Sequence, residues 1–151
     1  MLRTIRFRGR LVNSNNEWAY GDLIHRGQHY MIRQINYPYN GFEYETLVQE
    51  DTIGLFTGQQ DVNGVDIYEG DILEDVNENT LSRNKLRMVV SFGQYHPVCN
   101  SGIELGFFMQ HIHERDMWRR DFMFWVNDGV KVIGNVFDNP ELLKGGEDGE
   151  D

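Results

Sequence analysis

The chain has 151 residues and a mass of 17.7 kDa, which suits one compact unit or a small barrel with an added lobe. Its 40% hydrophobic and 13% aromatic residues predict a core rich in aromatic and methionine side chains, and no apolar run approaches the ~20 residues of a membrane-spanning helix. The formal net charge of -10 disfavours phosphate binding by the whole surface, because an acidic field repels polyanions.

The start of the chain and its cysteine content bear on the cellular compartment. Residues 1–6 are basic but have no apolar stretch behind them, so they are not typical of a secretory signal. Cys99 is the only cysteine, which excludes an internal disulfide and agrees with a reducing compartment. Because no paired acid accompanies Cys99, we interpret it as an ordinary loop thiol and not as a nucleophile. We therefore expect a cytoplasmic protein.

The first third of the chain predicts a β-meander. Residues 4–12 alternate apolar and arginine side chains, which is the period of a half-buried strand with its arginines facing water. Further strands are predicted at residues 17–25, 30–35 and 43–48. Polar residues follow, and we place the end of this N-terminal lobe at residue 50.

The strongest turn signal lies in the middle of the chain. Asn63 and Gly64 stand between two runs, which predicts a two-residue type I′ turn with positive φ at both positions. Shortly after, Gly70 supplies a backbone conformation that a Cβ would penalise, and Asp71 is placed to bond a nearby backbone N–H. We interpret these four residues as structural turn residues.

The last part of the chain completes the predicted fold. Strands are predicted at residues 85–92, 105–113, 122–126 and 130–137. Asn139 is expected to cap a short helix that begins at Pro140. The predicted fold is mainly β, with an SH3-like β-barrel at residues 51–143, the β-meander lobe before it, a short C-terminal helical turn, and a disordered acidic tail at residues 144–151.

Three blocks of this sequence resemble the YopX-like family of small proteins encoded by phages and prophages. They are the basic opening strand at residues 3–8, the central segment at residues 56–72 and the closing block at residues 132–143. The resemblance implies a mostly β protein with a small SH3-like barrel, a phage or prophage context and no known cofactor. It carries over no functional residues, because the family has no assigned activity.

Three histidines are candidates for a metal site. His111 and His113 are two residues apart on a predicted strand and share one face, and His96 and Asp116 are close in sequence. Imidazoles and a carboxylate are usual ligands of zinc, so this group would fit a metal-dependent hydrolase. The alternative is an ordinary pair of surface histidines, which we favour because the stronger metal-binding motifs are missing. No cofactor is expected.

A second candidate is the strip of Arg6, Arg8 and Arg10. With Trp18, Tyr20, Tyr37 and Tyr39 as stacking faces, such a strip predicts binding of single-stranded nucleic acid. The alternative is the wet face of an edge strand, where charge blocks aggregation. The net charge of -10 favours the alternative.

The sequence contains one further pair of acids with chemical potential. Glu69 and Asp71 flank Gly70, and paired carboxylates serve as acid and base in many enzymes, but a turn explains the same residues. We therefore predict no enzyme. The favoured interpretation is a phage-type accessory module that binds an unidentified protein partner or a second copy of itself, without membrane contact.

Overall fold

The computed structural model describes residues 3–34, 44–77, 86–97, 102–112, 119–122, 126, 127 and 129–144. The chain divides into two compact units, unit 1 (Met1–Gly58) and unit 2 (Gln59–Asp151). Their strands form two antiparallel sheets, so the prediction of a mainly β protein is confirmed. The sequence placed the division earlier, after residue 50, and the predicted tail beyond Lys144 lies outside the described residues.

Unit 1 is built on an antiparallel meander. Its strands are β1 (Phe7–Arg10), β2 (Trp18–Arg26), β3 (His29–Gln34), β4 (Tyr44–Val48) and β5 (Gly54–Gln60), the last of which continues into unit 2. They are ordered β4-β3-β2-β1-β5, so each of the first four strands pairs with its neighbour in sequence. A 3₁₀ helix at Glu50–Thr52 precedes β5, and the Arg10 backbone N–H donates to Thr52 Oγ1 at 2.9 Å.

The sheet of unit 1 curls, because the end of β1 meets the end of β4. Leu11 bridges Val48, and the backbone N–H of Gln49 donates to the Arg10 carbonyl oxygen at 2.8 Å. The concave face holds a core of buried Ala19, Ile32 and Val48, with partly buried apolar side chains around it. Alternation along β1 and β2 places this core on one face and the arginines of β1 on the other.

Unit 2 contains a second, more open sheet. Its strands are β6 (Asp66–Tyr68), β7 (Asp71–Asp75), β8 (Arg87–Tyr95), β9 (Glu104–His111), β10 (Arg119–Asp121) and β11 (Val130–Asn135). The order β10-β9-β8-β7-β11 makes β10 and β11 its outer strands, while β6 lies beside β5. The core residues are Ile67, Leu73, Met88, Val90, Met109, Phe122 and Val130.

Three details differ from the sequence-based predictions. Among the described residues no closed barrel is present, so the SH3-like barrel predicted at residues 51–143 is not confirmed: the sheet there has two separate outer strands. Phe122 and Val126 have helical backbone, whereas a strand was predicted; a short apolar run does not distinguish the two. The 3₁₀ helix at Pro140–Leu143 is present, but the Asn139 side chain does not cap it.

Candidate functional site

The turn at Asn63 and Gly64 is a three-residue loop and not the predicted type I′ turn. Gly64 has φ 79°, but Asn63 is not among the residues with positive φ. The Gly64 N–H donates to the Asp61 carbonyl oxygen at 3.0 Å, and the Asp61 N–H donates to the Val65 carbonyl oxygen at 2.8 Å. This pattern is typical of a type I turn followed by a left-handed glycine, which needs positive φ at one residue only.

Asp61 stabilises this loop, although no sequence pattern indicates this role. Its Oδ1 accepts hydrogen bonds from the backbone N–H groups of Asn63 at 2.8 Å and Val65 at 2.9 Å. Its Oδ2 accepts from Val132 in β11 at 2.9 Å, and the Val62 N–H donates to the Val130 carbonyl oxygen at 3.0 Å. The loop therefore pairs with an outer strand that would otherwise expose its backbone.

The second glycine turn, at Gly70, also forms backbone hydrogen bonds with distant segments of the chain. Gly70 has φ 87°, its N–H donates to the Val90 carbonyl oxygen at 2.9 Å, and its carbonyl oxygen accepts from the Val136 N–H at 2.9 Å. Asp71 is 2% exposed, and its Oδ2 accepts from the Tyr68 N–H at 2.8 Å. A carboxylate buried and bonded in this way is a poor acid or base for a substrate, which favours the structural interpretation of Asp71 over the catalytic one.

The closing block is organised by two asparagines. Asn135 Oδ1 accepts from the backbone N–H groups of Phe137 at 3.0 Å and Asp138 at 2.9 Å. Asn139 Oδ1 accepts from the Asn135 N–H at 3.2 Å, so this side chain bonds backwards along the chain and not to the helix that follows. Gly134 packs against Asn139 so closely that a Cβ there would overlap the amide.

The arginines at positions 6, 8 and 10 lie on one face, as the alternation predicts, and each guanidinium lies over an aromatic ring. The Cζ of Arg8 is 4.9 Å and that of Arg10 is 5.8 Å from the centroid of Trp18. The Cζ of Arg6 is 4.9 Å from the centroid of Phe56. The strand register explains the contacts with Trp18, because it places Arg10 directly opposite Trp18 across β1 and β2. The cations thus lie on aromatic faces, where their attraction to the rings is strongest.

The prediction that these arginines face water is wrong for Arg8. Arg8 is 6% exposed, and Arg6 and Arg10 are half-buried. A long arginine side chain covers apolar surface with its methylene groups, and the sequence period shows only that it shares a face with its neighbours. Tyr20, directly opposite Arg8 in the register, is 45% exposed and is the accessible aromatic residue of this surface. We call Arg6, Arg8, Arg10, Trp18 and Tyr20 the arginine face.

A carboxylate on β4 binds two other arginines of unit 1. Arg33 Nη2 lies 2.8 Å from Glu45 Oε1, and Arg26 Nη1 lies 3.2 Å from Glu45 Oε2. The hydrogen bond from Arg33 lowers the pKa of Glu45 below its ordinary value of 4.5, against a smaller opposing effect of desolvation. Arg33 and Glu45 are directly opposite each other across β3 and β4, so the pair follows from the register.

The structure does not bring His96 and His111 together. His111 is opposite Met88 at one end of the β8–β9 ladder, whereas His96 follows Tyr95 at the other end. His96 is eight positions after Met88, and eight steps of extended chain span ~26 Å, far beyond the reach of a shared metal ion. His113, Asp116, Cys99, Tyr37 and Tyr39 lie outside the described residues.

Two further observations concern metals and membranes. In the parts of the chain that the structure describes, no group of three or more His, Cys, Asp or Glu side chains is placed to hold a metal ion. Within the same residues, no helix has the length and apolar character needed to cross a membrane.

The far end of the β8–β9 hairpin carries exposed apolar side chains. Phe92 is 48% exposed, Ile103 is 64% exposed and Leu105 is 71% exposed. Phe92 is opposite Phe107 and Leu105 is opposite Gln94 in the register. Because Phe92 and Gln94 are two residues apart on β8, the side chains of Phe92 and Leu105 lie on the same face. We call Phe92, Ile103, Leu105 and Phe107 the hairpin patch. Contiguous exposed apolar surface of this kind is typical of contact sites.

The fold and these surfaces define a mainly β protein whose distinctive polar residues organise turns. The sequence matches the family described as YopX protein over residues 6–144. The chain therefore belongs to the YopX family, and the resemblance identified from its three sequence blocks is confirmed.

The chain is similar to solved structures. One of them is the crystal structure of protein EF1440 from Enterococcus faecalis, with 19% sequence identity and a TM-score of 0.48. The similarity covers 93% of this chain and 99% of that chain. The comparison with curated proteins finds no match.

Proposed function

We propose that this YopX-family chain is an accessory protein of phage or prophage type, which acts in the cytoplasm by binding and not by catalysis. The observation that carries the proposal is the use of its most distinctive polar residues in backbone hydrogen bonds. Asp61, Asp71 and Asn139 each accept from main-chain N–H groups at 2.8–3.2 Å. Oxygen atoms engaged in this way stabilise turns, and the exposed surfaces remain for contact with a partner.

The SH3-like barrel predicted at residues 51–143 remains a proposal, and the curled sheet of unit 1 is an alternative location for the small barrel that the family resemblance implies. The support for this location is the path of β1, which pairs with β2 on one side and β5 on the other, and whose end bridges β4 through Leu11 and Val48. A sheet that returns to its own first strand has fewer open edges, as small barrels do. Unit 2 would then be an added sheet that carries the hairpin patch.

Affinity capture from phage-producing cells tests the binding function. The immobilised wild type is compared with Leu105→Asp in the hairpin patch and Tyr20→Asp in the arginine face, because both side chains are exposed and both variants are expected to fold. We expect a partner that the wild type retains and one variant loses. The contrary result is hydrolysis of an ester, peptide or phosphodiester substrate by the purified wild type, if a folded Asp71→Asn variant lacks this activity.

The arginine face supports a second candidate, the binding of single-stranded nucleic acid. Bases stack on aromatic side chains and on guanidinium planes, and this surface provides both within one pair of strands. Tyr20, 45% exposed, lies opposite Arg8, and Trp18 already accommodates two guanidinium groups. Residues 1–58 carry six arginines and six acids, so unit 1 lacks the strong negative charge of the whole chain.

Fluorescence anisotropy with a labelled oligothymidylate at low salt tests this candidate. We expect Tyr20→Ala to weaken binding by one stacked base, about 1–3 kcal/mol, and Arg10→Glu to reduce the slope of log K against log salt by about 0.7 per lost phosphate contact. Lys144→Glu, with the same charge change at an exposed position in unit 2, is the control. Absence of binding by the wild type at low salt contradicts the candidate.

A further inference from the structure

The sheet surface that carries the arginine face extends onto β3 and β4. The register places Asp22 opposite Arg33, and Arg33 opposite Glu45. Because side chains alternate along a strand, Asp22 and Arg26 follow Tyr20 on the same side of β2. In residue 6 and in β1 to β4 this surface carries five arginines against two acids, so it is positively charged in a chain whose net charge is -10. It therefore attracts the phosphates of a polyanion that the rest of the chain repels.

Asp22 is an exposed carboxylate within this surface. It is two residues after Tyr20 on β2, so the two side chains leave the backbone ~7 Å apart on the same side of the sheet. Arg33 is directly opposite Asp22, but its Nη2 lies 2.8 Å from Glu45 Oε1. Arg26 Nη1 also binds Glu45, at 3.2 Å from Oε2. The exposed carboxylate of Asp22 is therefore accessible to a ligand that lies on Tyr20.

A base stacked on Tyr20 brings its edge to Asp22. Tyr20 is 45% exposed, so its ring can accept a nucleobase, and the base extends beyond the ring on which it lies. A separation of ~7 Å between the two residues accommodates half a base and one hydrogen bond of about 2.8 Å. Proteins read single-stranded bases by this combination of stacking on an aromatic ring and hydrogen bonds to the Watson–Crick edge.

An ionised carboxylate distinguishes guanine from the other bases. It only accepts hydrogen bonds, and its two oxygen atoms lie side by side. The Watson–Crick edge of guanine presents two adjacent donors, N1–H and the 2-amino group, which match the two oxygens. Adenine, cytosine and thymine each present a single donor beside an acceptor atom, so they form one bond and bring an acceptor against the second oxygen. A carboxylate beside a stacked base therefore favours guanine, through two charge-assisted hydrogen bonds.

We propose that Asp22 selects guanine at the nucleotide that stacks on Tyr20. This inference rests on the nucleic-acid candidate described above and adds a sequence preference to it. Attraction between arginines and phosphates is independent of sequence and supplies affinity, whereas hydrogen bonds to a base edge supply the choice of base. An acid in a phosphate-binding surface lowers the affinity for every sequence, and recognition of guanine offsets this loss at one position.

Fluorescence anisotropy of the full chain at low salt tests this inference. The probes are short labelled oligothymidylates whose central base is thymine, adenine, cytosine or guanine. We expect the strand with guanine to bind about tenfold more tightly than the other three, because one bidentate pair discriminates by about this factor. Inosine at the same position lacks the 2-amino group and should bind like adenine. The set is also prepared as RNA, in which guanine has the same edge, and the more tightly bound set identifies the natural strand.

Asp22→Asn separates the choice of base from binding itself. An amide has one donor and one acceptor, which fit a neighbouring acceptor and donor on the edge of every base, so the preference for guanine should disappear. Affinity for the plain oligothymidylate should not fall, since the change removes a negative charge from a surface that attracts phosphates. Asp51→Asn, the same change at an exposed residue of the 3₁₀ helix Glu50–Thr52, is the matched control and should keep the preference. Circular dichroism confirms that both variants are folded.

The outcomes separate this inference from the candidate on which it rests. A wild type that binds the four central bases equally shows that guanine selection is wrong, while the nucleic-acid candidate stands. A guanine preference that survives in Asp22→Asn, or that inosine retains in full, also overturns the role of Asp22. A wild type that binds no oligonucleotide at low salt contradicts both.

Discussion

The two units of this protein differ in the most prominent use of their charged side chains. In unit 1, guanidinium groups lie over aromatic rings, as Arg8 and Arg10 do over Trp18, or bind a carboxylate, as Arg33 binds Glu45. In unit 2, carboxylates accept hydrogen bonds from the backbone, and Asp61 is the best example with three N–H donors. The first arrangement joins side chains across a sheet, and the second fixes the path of the main chain.

This difference explains which unit should be more sensitive to single substitutions. When a substitution removes a buried carboxylate, the backbone N–H groups that donated to it lose their partner. Each such N–H group costs about 1–3 kcal/mol. A cation over a ring contributes about 0.5–2 kcal/mol and, when it is removed, leaves an aromatic surface that repacks. We therefore expect the largest losses of stability in unit 2 and the smallest in unit 1.

The largest expected effect is that of Asp61→Ala. The change removes the acceptor of three backbone N–H groups, so we expect unit 2 to lose about 3–5 kcal/mol of stability. Hydrogen exchange of the Val65 and Val132 amides measures this loss locally, without assuming that the two units unfold together. Asp66→Ala is the control, because it removes a carboxylate whose Oδ1 accepts a hydrogen bond from a side chain, that of Gln60, at 2.9 Å. Equal effects of the two changes would show that the three backbone hydrogen bonds of Asp61 are not the cause of the loss.

The next effect is that of Gly134→Ala in the closing block. The new methyl group would displace the Asn139 side chain and break its hydrogen bond with the Asn135 N–H, which we expect to cost about 1–3 kcal/mol. Gly106→Ala is a matched control, because no atom lies within 4 Å of a Cβ at that position. Urea denaturation of both variants makes the comparison. Similar midpoints for Gly134→Ala and the wild type would show that the asparagine pair does not hold this segment.

A smaller effect is expected in unit 1 for Trp18→Leu. Leucine keeps apolar volume but removes the ring over which two guanidinium groups lie, so we expect a loss of about 1–2 kcal/mol beyond the change in packing. A double-mutant cycle with Arg8→Met isolates the contribution of the Arg8–Trp18 contact from urea denaturation data. A coupling energy near zero would mean that the ring and the guanidinium are neighbours without mutual stabilisation.

The smallest effect is the pH dependence that comes from Glu45. Because Arg33 lowers the pKa of Glu45 in the folded chain, the pair stabilises unit 1 above pH 4.5, and this stabilisation is lost as the pH falls through the lowered pKa. The urea midpoint of the wild type should therefore exceed that of Glu45→Gln at neutral pH, and the difference should shrink in acid. Glu50→Gln, at an exposed position, is the control. A difference that stays constant down to the lowest pH would contradict this prediction.

Local features of the fold could be predicted from the sequence, because they depend on neighbouring residues. The alternation of apolar residues and arginines defines β1, and the Asn63–Gly64 pair identifies a loop even though the type of turn differs. The same holds for the turn of Gly70 and Asp71, in which the hydrogen bond from the Tyr68 N–H joins residues three apart. In each case the residue type limits the backbone directly.

Features that depend on distant residues could not be predicted in this way. Asp61 was overlooked because Val132, one of its donors, is 71 residues away. His96 and His111 are close in sequence, but an antiparallel hairpin separates them, and only the register shows this. Arg8 is buried by rings and strands that other parts of the chain supply, so the alternation of residues along β1 does not predict its exposed fraction.

The contact between Asp61 and Val132 has a consequence for synthesis on the ribosome. The carboxylate emerges 71 residues before its last donor, so at about 5–20 residues per second roughly 4–14 s pass before the bond can form. In unit 1 the strand pairing extends no farther along the chain than that of Phe7 with Leu55, so these partners are available earlier in translation. The nascent chain thus contains the pairing partners of its first strands before β11, the outer strand of the second sheet, is synthesised. A chaperone that binds the chain at this stage would bind a protein whose second sheet is incomplete.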